Sequence, residues 1–281
     1  ANLAMLLILR SDVLIIKSFL PLTAVAAFAI DGRIGEYAYL LNKQFSNAIM
    51  PLISQSNGNG DRHTVRASLV DATRILAGIA TMLIGLGIFH AETLVVIWVG
   101  EDLLDAALPL RIILLAVLFS TLHMNASNVL GMSGGHRSVA GIMLASAAVH
   151  VLLSIMLIPE FGIMGAALAT LISAILVEFG LLLPLACRQQ GVKLREVFAD
   201  LVPSLIAAIP MFLVADIISH LLPASSLLIL LTQSTLAASV FIMMFVTIGL
   251  TRAERKFIYD FAMRIKSRGQ TLPLTEETTH A

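Results

Sequence analysis

The chain has 281 residues, of which 58% are hydrophobic and 13% charged, with zero formal net charge. Ordinary soluble domains are roughly 45–50% apolar and about 25% charged, so a soluble globule is excluded. A lone cysteine, Cys187, and the absence of a glycine period exclude a disulfide scaffold and a collagen-like fibre as well.

A membrane-crossing helix needs roughly 20 mostly apolar residues, because the hydrocarbon core is about 30 Å thick and each residue rises about 1.5 Å. Eight stretches meet that requirement, at about 2–20, 24–50, 68–90, 104–131, 138–158, 162–186, 199–221 and 225–250. None shows the two-residue alternation of barrel strands, so helices are expected. The expectation is an all-α polytopic membrane protein of about eight transmembrane helices over 1–250, followed by a tail over 251–281.

The first span contains Arg10, Asp12 and Lys17, and the turn after it is Pro21-Leu22-Thr23. The second contains Asp31, Arg33, Glu36 and Lys43 and leads into the polar segment Ser56-Asn57-Gly58-Asn59-Gly60-Asp61. Asp71 and Arg74 lie near the start of the third span, where they suit partners at a helix end. An acidic connection over 91–103 with Trp98 follows, and Arg111 comes early in the fourth span, lining a cavity or reaching outward to the interface. That span also holds His123, Asn125 and Asn128; the asparagines suit interhelical hydrogen bonds, and the histidine suits packing. Ser133-Gly134-Gly135-His136-Arg137 and Pro159-Glu160-Phe161 read as turns on either side of the fifth span, which contains His150. Glu178 and Asp216 are isolated acids farther on. The tail opens with the basic stretch Arg252 to Arg268 and turns polar from Thr271.

Loop charge gives an orientation. The loops near 55–66, 133–137 and 187–198, together with the tail, hold twelve of the 18 basic residues, whereas the alternate loops hold none and carry Glu92, Glu101, Asp102 and Glu160. By the positive-inside rule the first set and the C-terminus are cytoplasmic. Trp98 fits an anchor at the outer interface. Residue 1 is Ala, and a span begins at once without a basic flank, so the chain reads as a fragment rather than one starting with a signal peptide.

An ionisable side chain at mid-bilayer costs about 2.5–3.5 kcal/mol on insertion scales and usually faces a cavity or a partner. Arg10 and Arg33 each lie about ten residues from the first external turn, so both reach a depth of roughly 15 Å. With Asp12, Asp31 and Glu36 nearby they form a charged constellation, and Arg33 and Glu36 can pair at i,i+3. One reading is mutual neutralisation that staples the hairpin. The other is a water-filled cavity in which the forked guanidinium donors meet the phosphate oxygens of an anionic head group. No metal cluster, phosphate loop or nucleophile elbow is present, so neither an enzyme nor a cofactor is expected.

The stretch Leu157-Ile158-Pro159-Glu160-Phe161-Gly162-Ile163-Met164-Gly165-Ala166-Ala167-Leu168-Ala169-Thr170 resembles a hairpin of polysaccharide flippases in the multidrug/oligosaccharidyl-lipid/polysaccharide (MOP) exporter superfamily. Ser11-Asp12-Val13-Leu14-Ile15-Ile16 looks like part of that family's seventh helix, and Met50-Pro51-Leu52-Ile53-Ser54 followed by Gly60-Asp61 like the end of its eighth. Val99-Gly100-Glu101 and Leu110-Arg111-Ile112 are similar to the segment after that. Ala26-Ala27-Phe28 stands where the family has Gly-x-Tyr, Gly32-Arg33-Ile34 keeps a family pattern only in part, and Asp31 and Glu36 match none.

The resemblance implies the C-terminal portion of a fourteen-helix transporter, with its seventh and eighth helices lining a central cavity. It further implies transport of an undecaprenyl-pyrophosphate-linked oligosaccharide across the bacterial cytoplasmic membrane for O-antigen, capsule or exopolysaccharide synthesis. On that reading the cavity residues are Arg10, Asp12, Asp31, Arg33, Glu36 and Arg111. The implied partners are the lipid-linked oligosaccharide, membrane lipids and the missing N-terminal helices, with glycan polymerase and assembly proteins as further candidates and no nucleic acid. A drug or cation antiporter of the same superfamily is the alternative. A scaffold that recruits glycan-assembly enzymes through the tail is a third reading.

Overall fold

The computed structural model describes the backbone of residues 2–57, 62–252 and 255, and among these the side chains of 11–47, 69–131, 133–252 and 255. The helices are α1 (Asn2–Phe19), α2 (Leu22–Asn57), α3 (Arg62–Phe89), α4 (Ala91–Val99), α5 (Ala107–Met132), α6 (His136–Phe161), α7 (Ile163–Ser173), α8 (Leu183–Gln190), α9 (Leu194–Leu221) and α10 (Leu227–Ile248). A 3-10 turn over Glu101–Ala106 joins α4 to α5, and a π-helical segment, Ala174–Leu182, fuses α7 to α8 into one rod. No strand occurs among the described residues. Among the described residues six stretches, Leu69–Phe89, Glu101–Gly131, His136–Phe161, Ile163–Gln190, Leu194–Leu221 and Leu227–Ile248, are long and apolar enough to cross a membrane. The four charges of α2 make it far more polar than these.

Helix α5 is central. It packs on α2, α3, α7 and the π segment, while α9 lies between α3 and α10, and α6 between α1 and α7. One apolar cluster joins Leu69, Leu130, Leu182, Leu183 and Val197. A second joins Met211, Ala237, Phe241 and Phe245. A third, at the other end of α5, contains Ile84, Val95, Leu110 and Leu114. The fourth, Ile16, Phe28, Ile113, Ile158, Ala166 and Ala167, ties α1 and α2 to the α6–α7 hairpin.

That hairpin shows why its sequence is rich in small residues. Pro159 sits in the last turn of α6, and Gly162 turns the chain with φ +60°, ψ −138°, a conformation in which a side chain would be strained. At Gly165 an added Cβ would run into the carbonyl of Leu157, so the two helices meet backbone against backbone there. Close approach through small residues is how helices associate where lipid removes the hydrophobic drive between them.

The connection over 91–103 differs from expectation. It holds the helix α4, whose nine residues rise about 14 Å and so are too short to span. Apolar residues fill α4, and Val95 is buried on α5 and α3 through the third cluster. Trp98 is exposed near the end of α4. Residues 58–61 of the polar segment and nearly all of the tail lie outside the described residues.

Candidate functional site

The ionisable residues of α1 and α2 point three ways. Arg33 and Glu36 form the i,i+3 pair on α2 at 2.9 Å, with Arg33 62% exposed and Glu36 29% exposed. Around them on the same helix Tyr37, Leu40, Leu41 and Phe45 are exposed, together with Gln44 and Asn47, so this face of α2 is largely apolar with one ion pair and two amides set in it. Asp31 faces the interior. It is fully buried, and neither carboxyl oxygen has a hydrogen-bond partner among the described residues. Gly35, one turn further along, sits so close to Ile113 that an added Cβ would come within 2.6 Å of its Cγ2, which presses this side of α2 against α5.

Asp12 turns to α6 rather than to Arg33. It is buried between α1 and α6, where Ser154 Oγ donates to Oδ1 at 2.7 Å and His150 Nε2 lies 3.1 Å from both oxygens. Arg10 lies on α1, but its side chain is outside the described residues. The constellation expected from depth alone is thus divided by helix facing.

Arg111 belongs to a separate place. Its guanidinium pairs with Glu92 of α4 at 3.0 Å, and its Nε donates to the Ile88 carbonyl at 3.3 Å. It lines an open cleft of about 500 Å³ with Glu92, Asp105, Leu104, Phe161 and Met164, at the end of the molecule where the α6–α7 hairpin turns.

A further buried carboxylate, after Asp31 and Asp12, stands on the π segment. Glu178 Oε2 accepts from Ser120 Oγ at 2.9 Å and Oε1 accepts from Ser146 Oγ at 3.1 Å, and His123 Nδ1 lies 3.6 Å from Oε2. Ser146, His150 and Ser154 follow one another at intervals of four along α6 and so occupy a single stripe. This stripe serves both acids: its first member binds Glu178 and the other two bind Asp12. The i, i+4, i+8 spacing was the sequence signal for it, masked because each residue alone suits helix packing.

Other polar contacts tie helices together. Asn125 donates to the Leu69 carbonyl and to Thr73 Oγ1 at 3.1 and 3.0 Å, and Asn128 donates to Ser46 Oγ at 3.1 Å. Arg74 pairs with Asp71 at 2.9 Å and reaches Asp200 of α9 at 3.4 Å, a link between two helices rather than one to a loop. Asp216 is exposed near the end of α9, beside His220. Among the described residues no group of three or more His, Cys, Asp or Glu is arranged to hold a metal ion.

Comparison with known proteins bears on the whole arrangement. The MatE family profile matches residues 1–156. The fold is similar to that of the lipid II flippase MurJ in an inward closed conformation, with a TM-score of 0.65 and 17% sequence identity. The match covers 87% of this chain and 52% of that one, so the chain spans about half the length of the flippase it resembles. No curated protein sequence matches it. With six helices able to cross a bilayer and the family profile over more than half its length, the chain is a multi-pass membrane protein and belongs to the MatE family of the MOP superfamily.

Proposed function

We propose that the chain is the C-terminal part of a flippase that moves an undecaprenyl-pyrophosphate-linked oligosaccharide from the cytoplasmic to the periplasmic leaflet for polysaccharide synthesis. The observation that carries this reading is Arg33. It lies about 16 Å along a 36-residue helix and is 62% exposed on a largely apolar face. A guanidinium at that depth is too costly to leave in lipid, so it faces a water-filled cavity, and its donors match pyrophosphate oxygens. Its link to Glu36 is a single exposed ion pair, which water and salt weaken and a phosphate can replace. The resemblance to a structure named as a lipid II flippase supports a substrate of the same lipid-linked kind.

In this reading the protein lies in the bacterial inner membrane with the eight long rods as spans and the C-terminus in the cytoplasm, as the loop charges favour. The cavity is completed by N-terminal helices of the same protein, and transport proceeds by rocking of two lobes around it. Asp12, held by α1 and α6, is the candidate for ion coupling, and Arg111 and Glu92 flank the outer cleft. Glycan polymerase and assembly proteins are the proposed partners.

The test is glycan export in cells that depend on the full-length transporter. Replacing Arg10 and Arg33 together with Ala abolishes export while membrane insertion persists; unchanged export overturns the assignment. The buried acids, Asp12, Asp31 and Glu178, favour a second reading, an antiporter for drugs or cations. Under that reading Glu36→Gln impairs transport and Arg33→Ala is silent.

A further inference from the structure

The Glu178 cluster is not used by the cavity just described. The carboxylate is 9% exposed and lies in the middle of the nine-residue π segment, fifteen residues and so about 22 Å along the rod that starts at Ile163. A π turn inserts a residue into the helical register, re-aims the side chains it carries and occurs frequently at functional sites. Here Ala174, Val177, Glu178 and Leu182 are the buried members of the segment, so the acid takes a place that is otherwise apolar.

Two hydroxyls occupy one lone pair of each carboxyl oxygen, Ser120 from α5 and Ser146 from α6. The third neighbour, His123, is also buried, and its Nδ1 has no hydrogen-bond partner among the described residues although it stands 3.6 Å from Oε2. That gap is slightly longer than a hydrogen bond, and one proton on either group closes it with a small movement. On the imidazole it makes an ion pair with the carboxylate; on the carboxyl it makes a neutral O–H donor to Nδ1. Both arrangements are one loaded state, in which the added proton is shared and no net charge is left unpaired; unloading removes that proton and leaves a carboxylate anion that the Ser120 and Ser146 hydroxyls hold. Two oxygens and an imidazole are the donor set of a proton relay rather than of a metal cage.

The surroundings are consistent with exchange. Ser120 and Tyr39 of α2 are only half-buried, so the site reaches a surface along the α2–α5 seam. Tyr39 is within electrostatic reach of Glu178. His150 is one turn along α6 from Ser146, with its Nε2 committed to Asp12. The π segment also packs on α7 and α8, neither of which brings a further acid to the cluster.

We propose that Glu178 and His123 form a proton-binding pair that loads and unloads in the transport cycle, at a place separate from both the Arg33 face and Asp12. The coupling role rests on the transporter reading above; proton binding itself does not.

The experiment is infrared difference spectroscopy of the full chain in lipid nanodiscs, titrated over about pH 4–9, a range that brackets ordinary Glu and His behaviour. The expected result is a carboxylic C=O band that grows on acidification and is lost in Glu178→Gln. Ser146→Ala keeps the band and moves its frequency, because one hydrogen bond to Oε1 is gone, and His123→Gln changes the pH at which it appears. A wild-type spectrum without such a band, or a Glu178→Gln spectrum that keeps it, overturns the proposal and leaves Glu178 a static packing acid. Wild-type glycan export measured in parallel keeps the failures apart. Absent export with the band intact sinks the flippase assignment alone, whereas a missing band with export intact sinks the proton pair alone.

Discussion

Helices α2 and α6 both carry polar groups through the middle of the molecule, and they do it in opposite ways. On α2 the pair Arg33–Glu36 lies within one helix on a largely apolar face, with the Arg33 side chain 62% exposed. On α6 the stripe Ser146, His150, Ser154 is completely buried, and its side chains bond to acids on α1 and the π segment. The same low-dielectric setting makes these arrangements unequal. A buried network is strong when satisfied and expensive when broken, whereas an exposed ion pair contributes little and exchanges partners readily. The first holds helices in register; the second is available to a ligand.

Substitutions test that contrast. Asp12→Ala leaves Ser154 Oγ and His150 Nε2 buried without their acceptor, and the expected loss is about 3 kcal/mol, read as a lower midpoint in thermal unfolding of the detergent-solubilised protein. Next comes Asn125→Ala, which removes two hydrogen bonds that tie α5 to α3 and costs about 1–2 kcal/mol in the same assay. Asn128 is half-buried with one bond to Ser46, so Asn128→Ala is expected to cost about 0.5 kcal/mol. Smallest is Arg33→Ala, within about 0.5 kcal/mol of the parent in stability. An Arg33 variant as unstable as the Asp12 variant would erase the distinction between the two helices. Equal stability with lost glycan export would sharpen it.

The sequence made most of the fold legible because bilayer thickness sets a length that apolar runs either reach or miss. The runs at about 138–158 and 162–186 correspond to α6 and to the rod from Ile163 to Gln190, and the Gly162 turn between them sits where the resemblance put a hairpin. Two features were illegible for physical reasons. Helix α4 hides in a connection because Glu92, Glu101 and Asp102 at its flanks outweigh its apolar residues in a reading based on loop charge. The π segment hides because its composition is that of any apolar helix; the extra residue per turn leaves no mark in hydropathy.

For the candidate site, spacing along one helix was readable and direction was not. The i,i+3 rule gives the Arg33–Glu36 pair. Which face meets which neighbour depends on tertiary packing, and this separates Asp12 from Arg33 and turns Asp31 inward. His123 and His150 looked like isolated packing residues because their acids are 55 and 138 residues away in the chain.

The backbone contact at Gly165 has a mechanical consequence. With Leu157 O where a Cβ at position 165 would stand, α6 and α7 have no room for a side chain between their main chains beside the turn, so sliding there requires the two backbones to part. The partners of Asp12 and Glu178 on α6 and the rod that carries Glu178 are joined at that hinge-free end. Relative motion is left to seams where helices meet through side chains, α1 against α6 and α5 against the π segment. Those seams contain Asp12 with its two donors and Glu178 with His123. Whatever rocks in this molecule strains an acid and its partners first.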